Sequence, residues 1–576
     1  MYENASSGET VRANFATNRT PMRTAVNLAT CGVASFLLAG VASCSGCHVT
    51  PGATTGKASP DSAEPTLRLY LMSDLAGALE PCGCTKDQLG GLDHAGAFIE
   101  SETKTAPRYA LVTAGPTFYM EDDPKADHLA QDTAKANTIA QSFKGLGFVA
   151  FAPGRNDWVG STAQLAHLGD VSGGALVFAN AAPGESIPRG TVPTFVKDFG
   201  GTKVGFIGVS APDKDPSAKP FPGLASTPSG AAVQKAWTDL HAQGVGIVVA
   251  LASVGRGEAK RIADEVPGLT AVVVGSTGSS GDVNTKPPQP ERVGDVLILE
   301  TGNHLTTLGV LDLFVRDGGK SATSFADGTG LELAQKRAEL QGRIDELHLR
   351  ISAWERDNTI ARADLDARRA DLARLETERA ALDVRPAPPE GSFFRYASKE
   401  VRDAMGRDPS TAAAMSAYYK EINQSNKVAF ANRLPQPHDA KSPGYVGIEA
   451  CTSCHDEARA VWDKTAHAHA YKTLSDEFKE YNLDCVSCHV TGYDLPGGST
   501  VSHVDNLKDV QCEVCHGAGS LHAAKPEKVA MPIPKPTPDS CLGCHHAPHV
   551  ENFDAVSKMA SILGPGHGRK SDGGAK

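Results

Sequence analysis

The pattern of apolar and polar positions changes several times along the chain. Between residues 66 and 318, short apolar runs recur at 67–73, 109–113, 148–151, 203–209, 246–251, 271–274, 296–300 and 309–315. Runs of that length, bounded by Gly, Pro and Asp, read as buried strands. Residues 126–144, 229–243 and 257–265 carry apolar positions at helical spacing instead. Buried strands alternating with helices predict an α/β domain over residues 66–318.

A different texture follows at 331–383, rich in Ala, Leu, Glu, Asp and Arg and free of Pro. Leu333, Leu340, Ile344, Leu347, Ile351 and Trp354 fall at spacings of three, four and seven, and Leu365, Leu372, Leu375 and Leu382 continue the register. This is a coiled-coil seam, interrupted at Asn358, Arg368 and Arg379. As one helix it would reach about 80 Å; a hairpin turning near Asp357 and Asn358 is equally permitted. The segment is a spacer or, because a seam needs a partner surface, a homodimerisation element. Residues 384–443 read as linker and helical segment. A Pro-rich hinge covers 385–391, and 392–432, with Phe393, Phe394, Tyr396, Tyr418 and Tyr419, is expected to be helical and to pack on the C-terminal domain. From 444 to 552 regular periodicity fades, and 553–576 is expected to be a flexible tail.

At the other end, Arg12, Arg19 and Arg23 precede an apolar stretch at 25–42. A basic segment followed by such a stretch is the pattern of an export signal, here residues 1–43. It is too short and too rich in Gly and Ala for a spanning helix. Residues 44–65, rich in Gly, Ser, Thr and Pro, read as a flexible tether.

The chain's 576 residues exceed one core and imply several domains. A net charge of −11 argues against a nucleic-acid partner. The thirteen cysteines carry the chemistry. Eight fall in four repeats: Cys451-Thr-Ser-Cys454-His455, Cys485-Val-Ser-Cys488-His489, Cys512-Glu-Val-Cys515-His516 and Cys541-Leu-Gly-Cys544-His545. C-x-x-C-H is the attachment pattern of c-type haem. Its two thiols form thioethers to the porphyrin, and its histidine reaches the iron. A structural zinc site pairs Cys-x-x-Cys ligands without needing a histidine after every pair. Four repeats predict four covalent haems. The far-side ligand candidates are His467, His522, His503 and His549, with His469 and His546 as hydrogen-bonding neighbours. Cys44-Ser-Gly-Cys47-His48 is a fifth such motif, but it lies in the tether with nothing to cover a haem. The remaining cysteines are Cys31, in the leader, and Cys82 and Cys84.

Three resemblances add to this reading. Val41-Ala42-Ser43-Cys44 resembles a bacterial lipobox, which implies cleavage before Cys44 and a lipid on its thiol. Residues 67–316 resemble the metallophosphoesterase domain of the 5′-nucleotidase/UDP-sugar hydrolase family, on Ser73-Asp74-Leu-Ala-Gly-Ala-Leu-Glu-Pro81, Gly90-Gly91-Leu92, Ala250-Leu-Ala-Ser-Val-Gly255 and Glu300-Thr-Gly-Asn303. That family holds two metal ions that clamp a phosphoryl group. Asp74 is kept here, but Ala76 stands in place of a histidine, Gly115-Pro116 in place of Gly-Asp, Gly154-Arg155-Asn156-Asp157 in place of Gly-Asn-His-Glu/Asp, Ser253 in place of a lone histidine, and Gly275 to Ser279 lacks two more. Such residues do not replace imidazoles at a transition-metal site, so the implied domain is degenerate and without phosphatase activity. Pro81-Cys82-Gly83-Cys84 resembles a signature of the (seleno)protein group of that family, and Cys82 and Cys84 are a candidate redox pair.

The C-terminal region resembles tetrahaem cytochromes that accept electrons during hydroxylamine oxidation, on Val461-Trp462-Asp-Lys-Thr-Ala-His467-Ala-His469-Ala, His489-Val-Thr-Gly492 and Cys512-Glu-Val-Cys-His-Gly-Ala-Gly-Ser-Leu-His522. The expectation is therefore an α/β metallophosphoesterase-like sandwich, a helical coiled coil and a mostly helical or irregular multihaem domain. Together they make an exported, lipid-anchored electron carrier of the periplasm or cell envelope, serving other redox proteins or quinol-linked cytochromes. The alternatives are a haem-based oxidoreductase acting on a small nitrogen or sulfur compound, an N-terminal domain that serves as a redox module or docking platform for a partner with the haems as its wire, and an active metal-dependent phosphoesterase joined to a cytochrome.

Overall fold

The computed structural model describes residues 64–81, 88–210, 224–276, 283–316, 324–356, 360–382, 390–546, 549–550 and 553–567. The export signal, the tether up to residue 63, and Cys31, Cys44, Cys47, His48, Cys82 and Cys84 lie outside the described residues.

The strands are β1 (Leu67–Ser73), β2 (Tyr109–Ala114), β3 (Phe148–Ala152), β4 (Ala175–Leu176), β5 (Thr194–Asp198), β6 (Lys203–Ser210), β7 (Ile247–Ser253), β8 (Ala271–Val274), β9 (Glu291–Val293), β10 (Val296–Leu299), β11 (Thr307–Phe314), β12 (Ala326–Asp327) and β13 (Phe393–Glu400). The longer helices are α1 (Leu92–Glu102), α2 (Leu129–Phe143), α3 (Thr162–Ser172), α4 (Ser229–Ala242), α5 (Arg256–Glu265), α6 (Leu331–Trp354), α7 (Arg362–Ala381) and α8 (Pro409–Ala429). One sheet runs β12-β13-β11-β1-β2-β3-β4 and the other β5-β6-β7-β8-β10-β9. Both are mixed. In the first, β1, β2 and β3 are parallel while β11 runs antiparallel to β1; in the second, β6, β7 and β8 are parallel while β5 runs antiparallel to β6.

The period-two alternation explains the layers. In β1, Leu67, Leu69 and Leu71 join Val204, Phe206, Val249 and Leu251 between the sheets. Tyr70 and Met72 face the other way, onto α1 and α2. On the far side of the second sheet, α4 and α5 cover Ile207, Val248 and Val272. The result is a two-sheet sandwich with helices outside, the α/β architecture that the sequence implies.

Two stretches differ from expectation, and a third settles an alternative that the sequence leaves open. Residues 393–400 form β13, not helix, and pair with β11 over their whole length. Phe394 and Tyr396 point between the sheets, while Phe393 stacks on Phe314 at 4.3 Å. This period-two stretch is short and abuts a long helix, whose pattern outweighs it along the sequence. The chain thus returns after the helical segment to complete the first sheet. The helix that follows, α8, is N-capped by Asp408, whose carboxylate accepts from Thr411 N, with Pro409 at its first turn. Its buried residues Met415, Tyr418 and Ile422 pack into the α1–α2 layer, not only onto the C-terminal region.

Of the two forms permitted for the coiled-coil stretch, it takes the hairpin. Leu340, Ile344 and Leu375 are buried together with Leu347, Leu372 and Leu382 against them, so the seam finds its partner surface within the chain. The expected tail contains a helix, Ala555–Ile562, capped by the Asp554 carboxylate accepting from Ser557 N. An Asp-x-x-Ser start before apolar residues specifies it. Beyond it Gly564 approaches Val461 and Gly566 approaches Ala458 too closely for a side chain. Those contacts dock the segment onto the haem-motif region, which has otherwise only short helical turns and one small apolar cluster.

Candidate functional site

The first and fourth C-x-x-C-H motifs show the local geometry. Each is a tight turn: the carbonyl of Cys451 accepts from the N–H of Cys454 and of His455, and that of Cys541 from Cys544 and His545. All eight motif cysteines are free thiols, half-buried or exposed. The buried Glu513 ties the first motif to the third. Its carboxylate accepts from the N–H of Val446, Gly447 and Gly519, while Gln511 Oε1 accepts from Ile448 N. Accordingly the Cys451 and Cys512 thiols lie near each other, as do those of Cys488 and Cys544.

The imidazoles form the central geometry. His455 faces His522 with ring centroids 6.4 Å apart, His545 faces His467 at 6.1 Å, and His516 faces His567 at 6.5 Å. Two imidazoles on opposite sides of one iron, with metal–nitrogen bonds of about 2 Å, place their ring centres roughly 6 Å apart. The residues therefore fit a six-coordinate haem iron at three sites. Backbone carbonyls orient several rings. Nδ1 of His489 lies 2.6 Å from Ala470 O, that of His516 2.9 Å from Ile533 O, and that of His522 2.6 Å from Val529 O. A ring that donates Nδ1–H to a carbonyl presents Nε2 to a metal. Burial lowers the pKa of His467, His545 and His567, which favours the neutral imidazole that coordinates iron.

The other histidine candidates are placed differently. His503 turns Nδ1 toward Ser502 Oγ at 3.1 Å. His546 and His549 meet edge to face at 5.4 Å. His469 borders a cavity of about 520 Å³ with Tyr471, Lys472 and Lys508. His567 is not among the candidates that the sequence suggests. Only a Gly-Pro-Gly-His string marks it, and nothing in that string signals iron until Gly566 packs on Ala458.

In the two-sheet domain the loops that should carry metal ligands do converge, but they hold one another. Asp74 N donates to Ala114 O, Ala76 N to Pro116 O, and Ser276 N to Gly115 O. Ser253 Oγ donates to Gly115 O at 3.2 Å. The buried Asp157 accepts from the N–H of Gly154, Thr117 and Phe118 at 2.7–3.0 Å. Burial pushes its carboxyl up to about 6, against those donors. Cβ atoms at Gly115, Gly154 and Gly275 would collide with backbone atoms of facing loops at 2.2–2.3 Å. Among the described residues no cluster of three His, Cys, Asp or Glu could hold a metal ion. The described residues do not fit a two-metal centre.

A two-sheet α/β domain joined to a region of four C-x-x-C-H motifs whose residues fit covalently attached haem c is the class these features define. Residues 450–517 match the family described as cytochrome c554 and c-prime. The chain is 37% identical over 91 residues to cytochrome c-554 of Nitrosomonas europaea, a match covering 13% of this chain and 39% of that protein. It therefore spans well under half the length of that curated relative. Among solved structures it is similar to a 5′-nucleotidase precursor from Thermus thermophilus, at 17% identity and TM-score 0.42, over 62% of this chain and 59% of the other. It is also similar to the calcineurin-like phosphoesterase YfkN from Bacillus subtilis, at 16% identity and TM-score 0.36, over 44% and 86%. No helix among the described residues is long and apolar enough to cross a membrane.

Proposed function

We propose that this chain is an exported tetrahaem electron carrier whose two-sheet domain no longer hydrolyses phosphoesters. The observation that carries the reading is the set of three facing imidazole pairs, each joining a motif histidine to one from elsewhere in the chain. Cys451/Cys454, Cys485/Cys488, Cys512/Cys515 and Cys541/Cys544 would attach the haems. His455 with His522, His516 with His567, and His545 with His467 would hold three irons, and His489 the fourth. Bound haem supplies one-electron chemistry, and two-sided histidine ligation favours electron transfer over substrate binding. The protein's own part is to hold the rings neutral and oriented and to bring the motifs together. The proximity of Cys451 to Cys512, and of Cys488 to Cys544, supports first and third haems that adjoin, and second and fourth haems that adjoin. The basic and apolar leader and Cys44 support a lipid-anchored place in the cell envelope, with other redox proteins as partners.

The loss of phosphoesterase chemistry is supported by the backbone that fills the loop crossing. The test is direct. Holoprotein should contain four haems, and His567→Ala should turn one low-spin EPR signal into a high-spin one. An unchanged spectrum removes His567 from the ligands, and metal-supported turnover of an aryl phosphate overturns the inactive domain.

A further inference from the structure

The second motif meets the two-sheet domain along a polar seam. Gln131 of α2, only 1% exposed, donates from Nε2 to Asn482 Oδ1 at 3.3 Å. Its Oε1 accepts from Leu483 N and from Asn426 Nδ2 of α8, both at 3.0 Å. The Asn482 carbonyl accepts in turn from the N–H of Cys485 and of Val486. One turn along α2, Lys135 reaches Asp484 at 2.7 Å. Glu80, at the end of the Asp74 loop, reaches Lys479 at 2.7 Å, and the Lys479 ammonium lies 4.4 Å over the Tyr419 ring. Asp484 immediately precedes Cys485, so its pair with Lys135 stands beside the motif, and Glu80 and Lys479 also bear electrostatically on the Cys485 thiol. By contrast, Cys451, Cys512 and Cys515 take their charged or thiol neighbours from the C-terminal region itself.

We infer that α2, α8 and the Glu80 loop are the outer wall of the second haem's pocket and set that haem's reduction potential apart from the other three. This rests on the four-haem reading. Cys485 would carry a thioether at the porphyrin edge, so a unit charge beside it acts on the iron through protein as well as water. A cation there favours the ferrous state and an anion the ferric one. Lys135 and Glu80 therefore bias the same iron in opposite directions without touching it; they are positioning residues of the wall.

The test is a potentiometric titration of the full-length holoprotein, with dithionite as electron donor and optical and EPR detection. Lys135→Met should lower one haem's midpoint and Glu80→Gln should raise that of the same haem. Each shift should change its ferrous-to-ferric ratio at fixed potential at least threefold, with the other three haems unmoved. Lys235→Met, on an exposed face of α4, should titrate as wild type. If Lys135→Met does not fold, Lys135→Arg should hold the midpoint and Asp484→Asn should raise it. Midpoints that stay put, move together, or move with the same sign in the Lys135→Met and Glu80→Gln variants overturn the inference. A wild-type haem count other than four overturns the four-haem reading instead.

Discussion

The two-sheet domain and the haem-motif region reach order by different routes. The first buries leucines, valines and phenylalanines of its strands and helices, both between its sheets and outside them. The second has one small apolar cluster, Tyr471, Leu483, Val486, Val490, Val501 and Val504, and short turns held by side chains such as Glu513 and Gln511. Where the chain supplies its own core, the fold does not depend on what its loops hold. Where it does not, covalently attached porphyrins would supply the core, and the attachment residues would decide the fold.

The largest effect expected from this contrast follows removal of haem attachment. Replacing the eight motif cysteines by alanine should leave residues 444–567 open to proteolysis while a fragment ending near residue 432 survives. Equal protection of both regions would break the contrast. Next, Phe206→Ala, in the core between the sheets, should cost about 3–5 kcal/mol of the two-sheet domain's stability and leave the Soret spectrum unchanged. A shifted Soret band would mean that the two regions share a core.

A third expectation concerns Asp157. Its folded carboxyl, up to about 6 from an ordinary value of 3.8, binds a proton more tightly than the unfolded one. This group's contribution to stability is therefore greatest below pH 4 and falls as pH rises through 6, by roughly 3 kcal/mol. Denaturant melts of wild type and Asp157→Asn between pH 4 and 7 should differ in slope with that sign; parallel curves would show the carboxylate's donors outweigh its burial. The smallest effect is expected at Leu349, 74% exposed on α6. Leu349→Lys should change stability by less than about 0.5 kcal/mol and leave the molecular mass in solution unchanged. A halved mass would make the hairpin an interface between two copies.

The sequence by itself determined the parts in which chemistry is local. C-x-x-C-H is a contiguous pattern, so all four motifs were legible, and strands such as β3 and β8 are marked by unbroken apolar runs. His467 and His522 stood out because they sit in stretches that resemble a known cytochrome. What lay beyond reach was decided by contacts between residues far apart in the chain. β13 gains its identity from pairing with β11 across the inserted hairpin, since a single alternation of Phe394 and Tyr396 weighs little beside a long adjoining helix. His567 faces His516 only because Gly564 and Gly566 dock on Val461 and Ala458. The seam of Gln131 with Asn482, and of Lys135 with Asp484, joins residues some 350 positions apart. Polar side chains at such separations carry no periodicity, and only the packed tertiary structure brings them together.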